Sequence, residues 1–123
     1  MKLTVLGMTA ALAGMLCGAA MASAHADEVS VELRNSLSVP LEAELYSQAR
    51  PQNWPGGGAL YRLEPGTAQS LQLSCTEGES ICYGAWSPGN DGAKFGVGRD
   101  GVEKCETCCF TCESGAHAAF EIR

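Results

Sequence analysis

Four cysteines stand within eight residues, Cys105-Glu-Thr-Cys108-Cys109-Phe-Thr-Cys112, with Cys75 and Cys82 upstream of them. Sulfur at this density has three chemistries. Two Cys-x-x-Cys pairs can offer four thiolates to a tetrahedral ion such as zinc. One pair can exchange electrons as a dithiol. Or the sulfurs bond to one another and staple the chain. The metal reading is weakened because the two pairs are fused with no spacer, which crowds four sulfurs around one ion. The dithiol reading asks for a helix start or positive charge beside the first thiol. Here the flanks carry Glu103, Glu106 and Glu113 against Lys104 alone.

The redox compartment decides among the three, and the N-terminus indicates it. Lys2 precedes an uncharged run from Leu3 to Ala24 that ends in Ala24-His25-Ala26, a small-x-small site. This is the three-part pattern of a secretory signal peptide over residues 1–26, with cleavage leaving a chain that starts at Asp27. A membrane anchor is the competing reading, since the run is long enough. Gly7, Gly14, Gly18 and the alanines make it only mildly apolar, and no basic stop follows. Cys17 follows Leu16, where a lipid-attachment site has a small residue, so it leaves with the leader. Six cysteines then remain in an oxidising compartment, and three disulfides are expected, with no metal and no cofactor.

Fifteen pairings of Cys75, Cys82, Cys105, Cys108, Cys109 and Cys112 are possible, and the sequence alone does not choose. Cys75 and Cys82 flank a Glu77-Gly78-Glu79 turn, so a bond between them across a hairpin is one expectation. Cys108 and Cys109 point to opposite faces of an extended chain. Cys105 and Cys112 can close local loops, or one of them can reach Cys75 or Cys82.

Other side chains with chemical potential are few. His117 is the one histidine after residue 26, and Ser114 and Glu113 lie near it. No Gly-x-Ser-x-Gly context accompanies them, so no catalytic residue is assigned. Glu42 and Glu44 share one strand face, but fourteen scattered acids supply such pairs by chance. Asn90-Asp91 and Asp100 lack the spaced oxygen ligands of a calcium loop. The best recognition segment is Arg50-Pro-Gln52-Asn53-Trp54-Pro-Gly-Gly-Gly58. Loops of this kind carry binding on rigid scaffolds. Arg50, Gln52, Asn53 and Trp54 are the candidate binding residues. The Trp54 face suits a sugar ring or a protein's apolar patch, or else it folds back to cap the core.

Charge narrows the partners. With Lys2 removed, fourteen acids face seven bases. No basic footprint exists for a nucleic-acid backbone. The field also disfavours anionic lipid, and no integral membrane segment follows the leader. The expected partner is a protein or a carbohydrate.

The elements that must position these residues read as strands. Val29, Val31 and Leu33 alternate with Ser30, Glu32 and Arg34, the period of a half-buried strand. Val39, Leu41, Ala43 and Leu45 repeat it. Pro40 makes that strand an edge or delays its start. Residues 47–58 have no period. Short strands follow at 59–63, around Leu71, Leu73 and Cys75, at 81–86, around Phe95 and Val97, and at the C-terminus around Ala118, Phe120 and Ile122. Asp100-Gly101 is a hairpin signal. No stretch carries a useful helical period. The expected fold is all-β, a small disulfide-stabilised antiparallel β-sandwich forming a single domain over residues 27–123, with a small closed β-barrel as the alternative. The expected role is an exported, non-catalytic binding or protein-interaction domain. The alternatives are a metal-binding or thiol-redox protein centred on the 105–112 cluster, a cell-wall or polysaccharide-directed protein, and an inhibitor of a secreted enzyme.

Overall fold

The computed structural model describes residues 26–123. The expected leader, with Cys17 and the cleavage motif up to His25, lies outside the described residues. Nine strands run in chain order: β1 Ala26–Asn35, β2 Leu41–Ser47, β3 Asn53–Trp54, β4 Tyr61–Leu63, β5 Ala68–Thr76, β6 Ser80–Ser87, β7 Asn90–Gly96, β8 Cys109–Thr111 and β9 His117–Ile122. They form two sheets. The first has the order β5-β1-β9. The second is centred on β2 and β6, with β3 and β4 along the far edge of β2 and β7 and β8 along the far edge of β6. This is an all-β sandwich and not a closed barrel. Among the described strands, the pair β1 and β9 is parallel and the rest are antiparallel.

Alternation explains which faces meet. Val29, Val31 and Leu33 of β1 and Leu71, Leu73 and Cys75 of β5 line the inner face of the first sheet, all buried. Leu41, Ala43 and Leu45 of β2 answer them from the second. Tyr83 of β6 meets Phe120 of β9 across the interior, with ring centroids 5.0 Å apart. Burying these faces supplies the main driving force for the fold.

Pro40 delays its strand and does not place it at an edge. β2 begins at the next residue and is flanked on both sides, by β3 and β4 on one and β6 on the other. Just before it, Asn35 is fully buried and organises the connection. Its Nδ2 donates to the carbonyls of Val39 at 2.8 Å and Leu63 at 3.1 Å, and its Oδ1 accepts from Leu37 N–H at 3.0 Å.

β6 does not alternate: Ile81 through Trp86 are all buried. Ile81, Tyr83 and Ala85 face the core. Cys82, Gly84 and Trp86 face outward, and the chain from Val97 onward lies over this side. A β-carbon built on Gly84 would collide with the carbonyl oxygen of Gly98, so that strap rests directly on the sheet. The expected hairpin at Asp100-Gly101 is instead a single 3-10 turn over Arg99–Gly101 within the strap. Both residues have positive φ, 65° and 68°. The backbone chemistry of the signal is present, but no strand follows it to complete a hairpin.

The six cysteines pair as Cys75–Cys112, Cys82–Cys109 and Cys105–Cys108. The expected Cys75–Cys82 bond does not form. Cys75 faces the core from the first sheet, whereas Cys82 faces outward from the second, and the 76–79 turn carries the chain between them. Cys112 reaches Cys75 and ties the two sheets through the interior. Cys109 pairs in register with Cys82 on the outer face. Cys108, turned the opposite way and fully buried, closes a local loop with Cys105.

Candidate functional site

The recognition loop divides into a buried half and an exposed half. Trp54 pairs with Leu45 in the ladder and shares its inward direction. It is 8% exposed, and its indole Nε1 donates to the carbonyl of Ser74 at 3.1 Å. Of the two readings of Trp54, capping the core is the one observed. Trp86 is buried too, with its Nε1 donating to Glu42 Oε2 at 3.1 Å and the Arg99 guanidinium 5.4 Å above its ring.

Arg50 makes a fork onto Glu79, from Nε to Oε1 at 2.6 Å and from Nη2 to Oε2 at 3.1 Å. Glu79 also accepts the Ser47 hydroxyl and the Thr76 N–H, the latter at 2.9 Å. Its side chain is 2% exposed, while that of Arg50 is 42% exposed. The bonds from Arg50, helped by Ser47 and Thr76 and opposed by burial, hold the Glu79 carboxyl down at about 2. Around this pair the backbone is cross-tied: Gln48 N–H to Ser80 O at 2.8 Å, Cys112 N–H to Glu79 O at 2.7 Å and Gly78 N–H to Cys112 O at 2.8 Å. The 47–52 loop, the 76–79 turn and the cross-sheet disulfide are therefore one knot. Glu79 was not among the sequence candidates. Its one signal is the Thr76-x-x-Glu79 spacing, in which a carboxylate reaches back to an N–H three residues earlier, as in a capping box.

In front of this knot lies a concavity of about 490 Å³. Glu44 and Tyr46 form its floor, from the outward parity of β2. The loop supplies Gln48, Arg50, Gln52 and Asn53, and the strap supplies Asp100 and Gly101 as the far rim. Three of the four candidate binding residues thus converge here, and Trp54 stands behind them. The positions are fixed by local bonds. Asn53 Nδ2 donates to Glu44 Oε2 at 2.9 Å, and Gln52 Nε2 donates to the Asn53 carbonyl at 3.0 Å. Asp100 N–H donates to the Tyr46 hydroxyl at 3.0 Å. Among the described residues Asp100 is the sole non-glycine with positive φ, a conformation Asp adopts more readily than most side chains. At Gly101 a β-carbon would come within 3.2 Å of the Tyr46 ring, so any other residue would push ring and strap apart by a few tenths of an ångström, and the φ of 68° also favours glycine there. Burial first, then the nearby Glu44 carboxylate, push the Tyr46 hydroxyl up to about 12. At neutral pH it is a phenol that accepts from Asp100 and keeps its own proton to donate.

A scan against protein-family models, a search of curated proteins and a search of solved structures each return no match.

The lining therefore speaks through its chemistry alone. It holds two carboxylates, three side-chain amides, a phenol and the edge of a guanidinium, groups suited to hydrogen bonding. The Ser47 hydroxyl is committed to Glu79. His117 is exposed on the outer face of the first sheet, opposite Ser30. Glu42 and Glu44 each accept from a neutral donor, Trp86 and Asn53 respectively. Among the described residues no group of three His, Cys, Asp or Glu is placed to hold a metal ion. A smaller concavity of about 300 Å³ adjoins the first at Asp100, with Trp86, Lys94, Arg99 and the 75% exposed Val102 around it.

Proposed function

We propose that this protein is an exported, non-catalytic binding domain whose partner seats in the concavity over Tyr46, between the 47–53 loop and Asp100. The observation that carries the reading is the convergence of Arg50, Gln52 and Asn53 with Glu44, Tyr46 and Asp100 on one open surface, where the side chains of Arg50, Gln52, Asn53, Glu44 and Tyr46 and the backbone of Asp100 are each in a hydrogen bond. Side chains already ordered lose little freedom on binding, which favours recognition. A lining of amides, carboxylates and a phenol matches the hydroxyls of a carbohydrate or the backbone and polar side chains of a polypeptide. Paired sulfurs support export into an oxidising compartment. Among the described residues no helix is long and apolar enough to cross a membrane. The metal reading requires free thiolates, whereas all six sulfurs are joined in pairs. The dithiol reading is disfavoured because, among the described residues, no helix start lies beside Cys105, and its flanks carry Glu103 and Glu106 against Lys104 alone.

The test is a binding screen of the exported protein against immobilised glycans and peptide libraries, repeated with Asn53→Ala and Tyr46→Phe. A specific ligand is expected whose affinity falls about tenfold in either variant, the worth of one buried hydrogen bond. A ligand that binds both variants as well as the parent refutes this site.

A further inference from the structure

Asp27 faces the core. It pairs with Cys75 and has the inward parity of Val29, Val31 and Leu33. The residue is 9% exposed, and its Oδ2 is buried with no hydrogen-bond partner among the described residues. A buried carboxylate oxygen left unpaired is costly, and folded proteins seldom tolerate one. The sequence contributes a second and independent observation. The small-x-small motif Ala24-His25-Ala26 directs cleavage to the bond joining Ala26 to Asp27. The residue with the orphaned oxygen is the one that acquires a new N-terminus.

We propose that peptidase cleavage between Ala26 and Asp27 completes this end of the sandwich, because the α-ammonium it creates neutralises the buried carboxylate of the same residue. The reaction is hydrolysis by an exported leader-cleaving peptidase. Water adds its hydroxyl to the Ala26 carbonyl carbon and its other proton goes to the Asp27 nitrogen as the C–N bond breaks. The released amine takes up one further proton, balanced by the one the new Ala26 carboxyl gives to solvent. No electrons are exchanged. Before cleavage the Asp27 nitrogen is a neutral amide with one proton. Afterwards it carries three protons and a positive charge.

The geometry suits this pairing. Four bonds join the nitrogen to either carboxylate oxygen, so the two lie within about 5 Å in any rotamer. Ladder direction assigns the protons. Ser30 N–H bonds to Ala116 O and Gly115 N–H bonds to Glu28 O, so the even residues of β1 address the β9 side. Alternation then turns the Asp27 nitrogen toward β5 and Cys75. One ammonium proton keeps the ladder position of the former amide, and the others are available to the carboxylate as charge-assisted bonds. The Cys75–Cys112 disulfide holds the opposite wall in place.

The inference rests on the export reading but not on the concavity, and its test reads unfolding, not ligand. Four chains ending at Arg123 are compared by urea unfolding at neutral pH. One begins at Asp27, one carries two extra alanines before Asp27, and each is repeated with Asp27→Asn. The extension is expected to raise the unfolding constant of the parent about tenfold, the size of one charge-assisted bond, and that of the Asp27→Asn chain less than twofold. Acetylating the α-amine of the unextended parent is expected to reproduce the effect of the extension. Equal effects in both backgrounds, or none in either, overturn the proposal and indicate that a buried water satisfies the oxygen. Mass spectrometry of the exported protein is expected to show a chain starting at Asp27, and any other start overturns it as well.

Discussion

Replacing Glu79 with Gln tests the knot behind the concavity. The substitution keeps the shape and removes the charge. Oε1 of Glu79 accepts from Ser47 and Arg50, and Oε2 accepts from Thr76 and Arg50. In the amide, one of these positions becomes a donor facing two donors. The magnitude follows from linkage. A carboxyl lowered from 4.5 to about 2 corresponds to about 3 kcal/mol at most, at about 1.4 kcal/mol per tenfold. Arg50 is 42% exposed, so solvent screens its share, and about 1–2 kcal/mol is expected at neutral pH. The sign is set by the lowered value: the stabilisation is fully present above pH 4.5 and is lost as pH falls toward 2. Urea unfolding of parent and E79Q at a series of pH values reads this directly. The parent is expected to be more stable at pH 7, and the two should converge as pH falls through the acidic range. A variant as stable as the parent at pH 7, or a gap that persists unchanged at pH 2, refutes the reasoning.

Three further outcomes are expected. Cys75–Cys112, Cys82–Cys109 and Cys105–Cys108 span 37, 27 and 3 residues, so loop entropy ranks their loss at about 4, 3.5 and under 2 kcal/mol; paired alanine variants unfolded in urea should keep that order, and equal losses would contradict it. Gly84→Ala drives a methyl into Gly98 and the Tyr46 ring and should cost about 1–3 kcal/mol by overpacking, measured as a lowered urea midpoint. Burial raises Tyr61 and Tyr83 as well, so the difference between the absorbance titrations of the parent and Tyr46→Phe should isolate one phenol ionising near 12, with stability falling as pH rises from 10 toward 12 because the folded protein holds that proton more tightly.

Period-two alternation made β1, β2 and β5 legible from the chain, because the side-chain direction of a strand is a local property. The same pattern, with frequent turns, led to a sandwich. What it does not carry is which sheet a strand joins. Cys75 and Cys82 look like hairpin partners in one dimension, yet the turn between them crosses from one layer to the other. Pro40 marked a boundary without saying whether the strand behind it was central. Asn35 and Glu79 are ordinary polar residues in sequence. They become structural only because the ends of other strands, Leu63 and Ser47, arrive beside them from 28 and 32 residues away. Trp54 is the instructive case. Its loop context of prolines and glycines suggested display, but its ladder position opposite Leu45 turns it inward. The polar neighbours Arg50, Gln52 and Asn53 were legible as a surface. The far wall at Asp100 was not, since it arrives through a strap whose path depends on the Gly84 and Gly98 contact.

That dependence separates the roles of the disulfides. Cys75–Cys112 lies in the interior and joins the two sheets, so its loss loosens the whole domain. Cys82–Cys109 lies on the outer face, beneath the strap that carries Asp100 and Gly101. Tyr46 reports on that strap, because its hydroxyl accepts from Asp100 and its ring is covered by Gly101. Burial is the largest cause of its raised ionisation. Replacing Cys82 and Cys109 together with alanine should let the strap lift, bring the Tyr46 titration back toward 10 and abolish the binding proposed for the concavity while the core remains folded. Replacing Cys105 and Cys108 removes only a local loop, and the Tyr46 titration should stay near 12. If neither pair of variants shifts Tyr46, the strap is held by its packing on Gly84 and the outer disulfide has no part in shaping the site; if both shift it equally, the outer disulfide has no role that the local Cys105–Cys108 loop does not share.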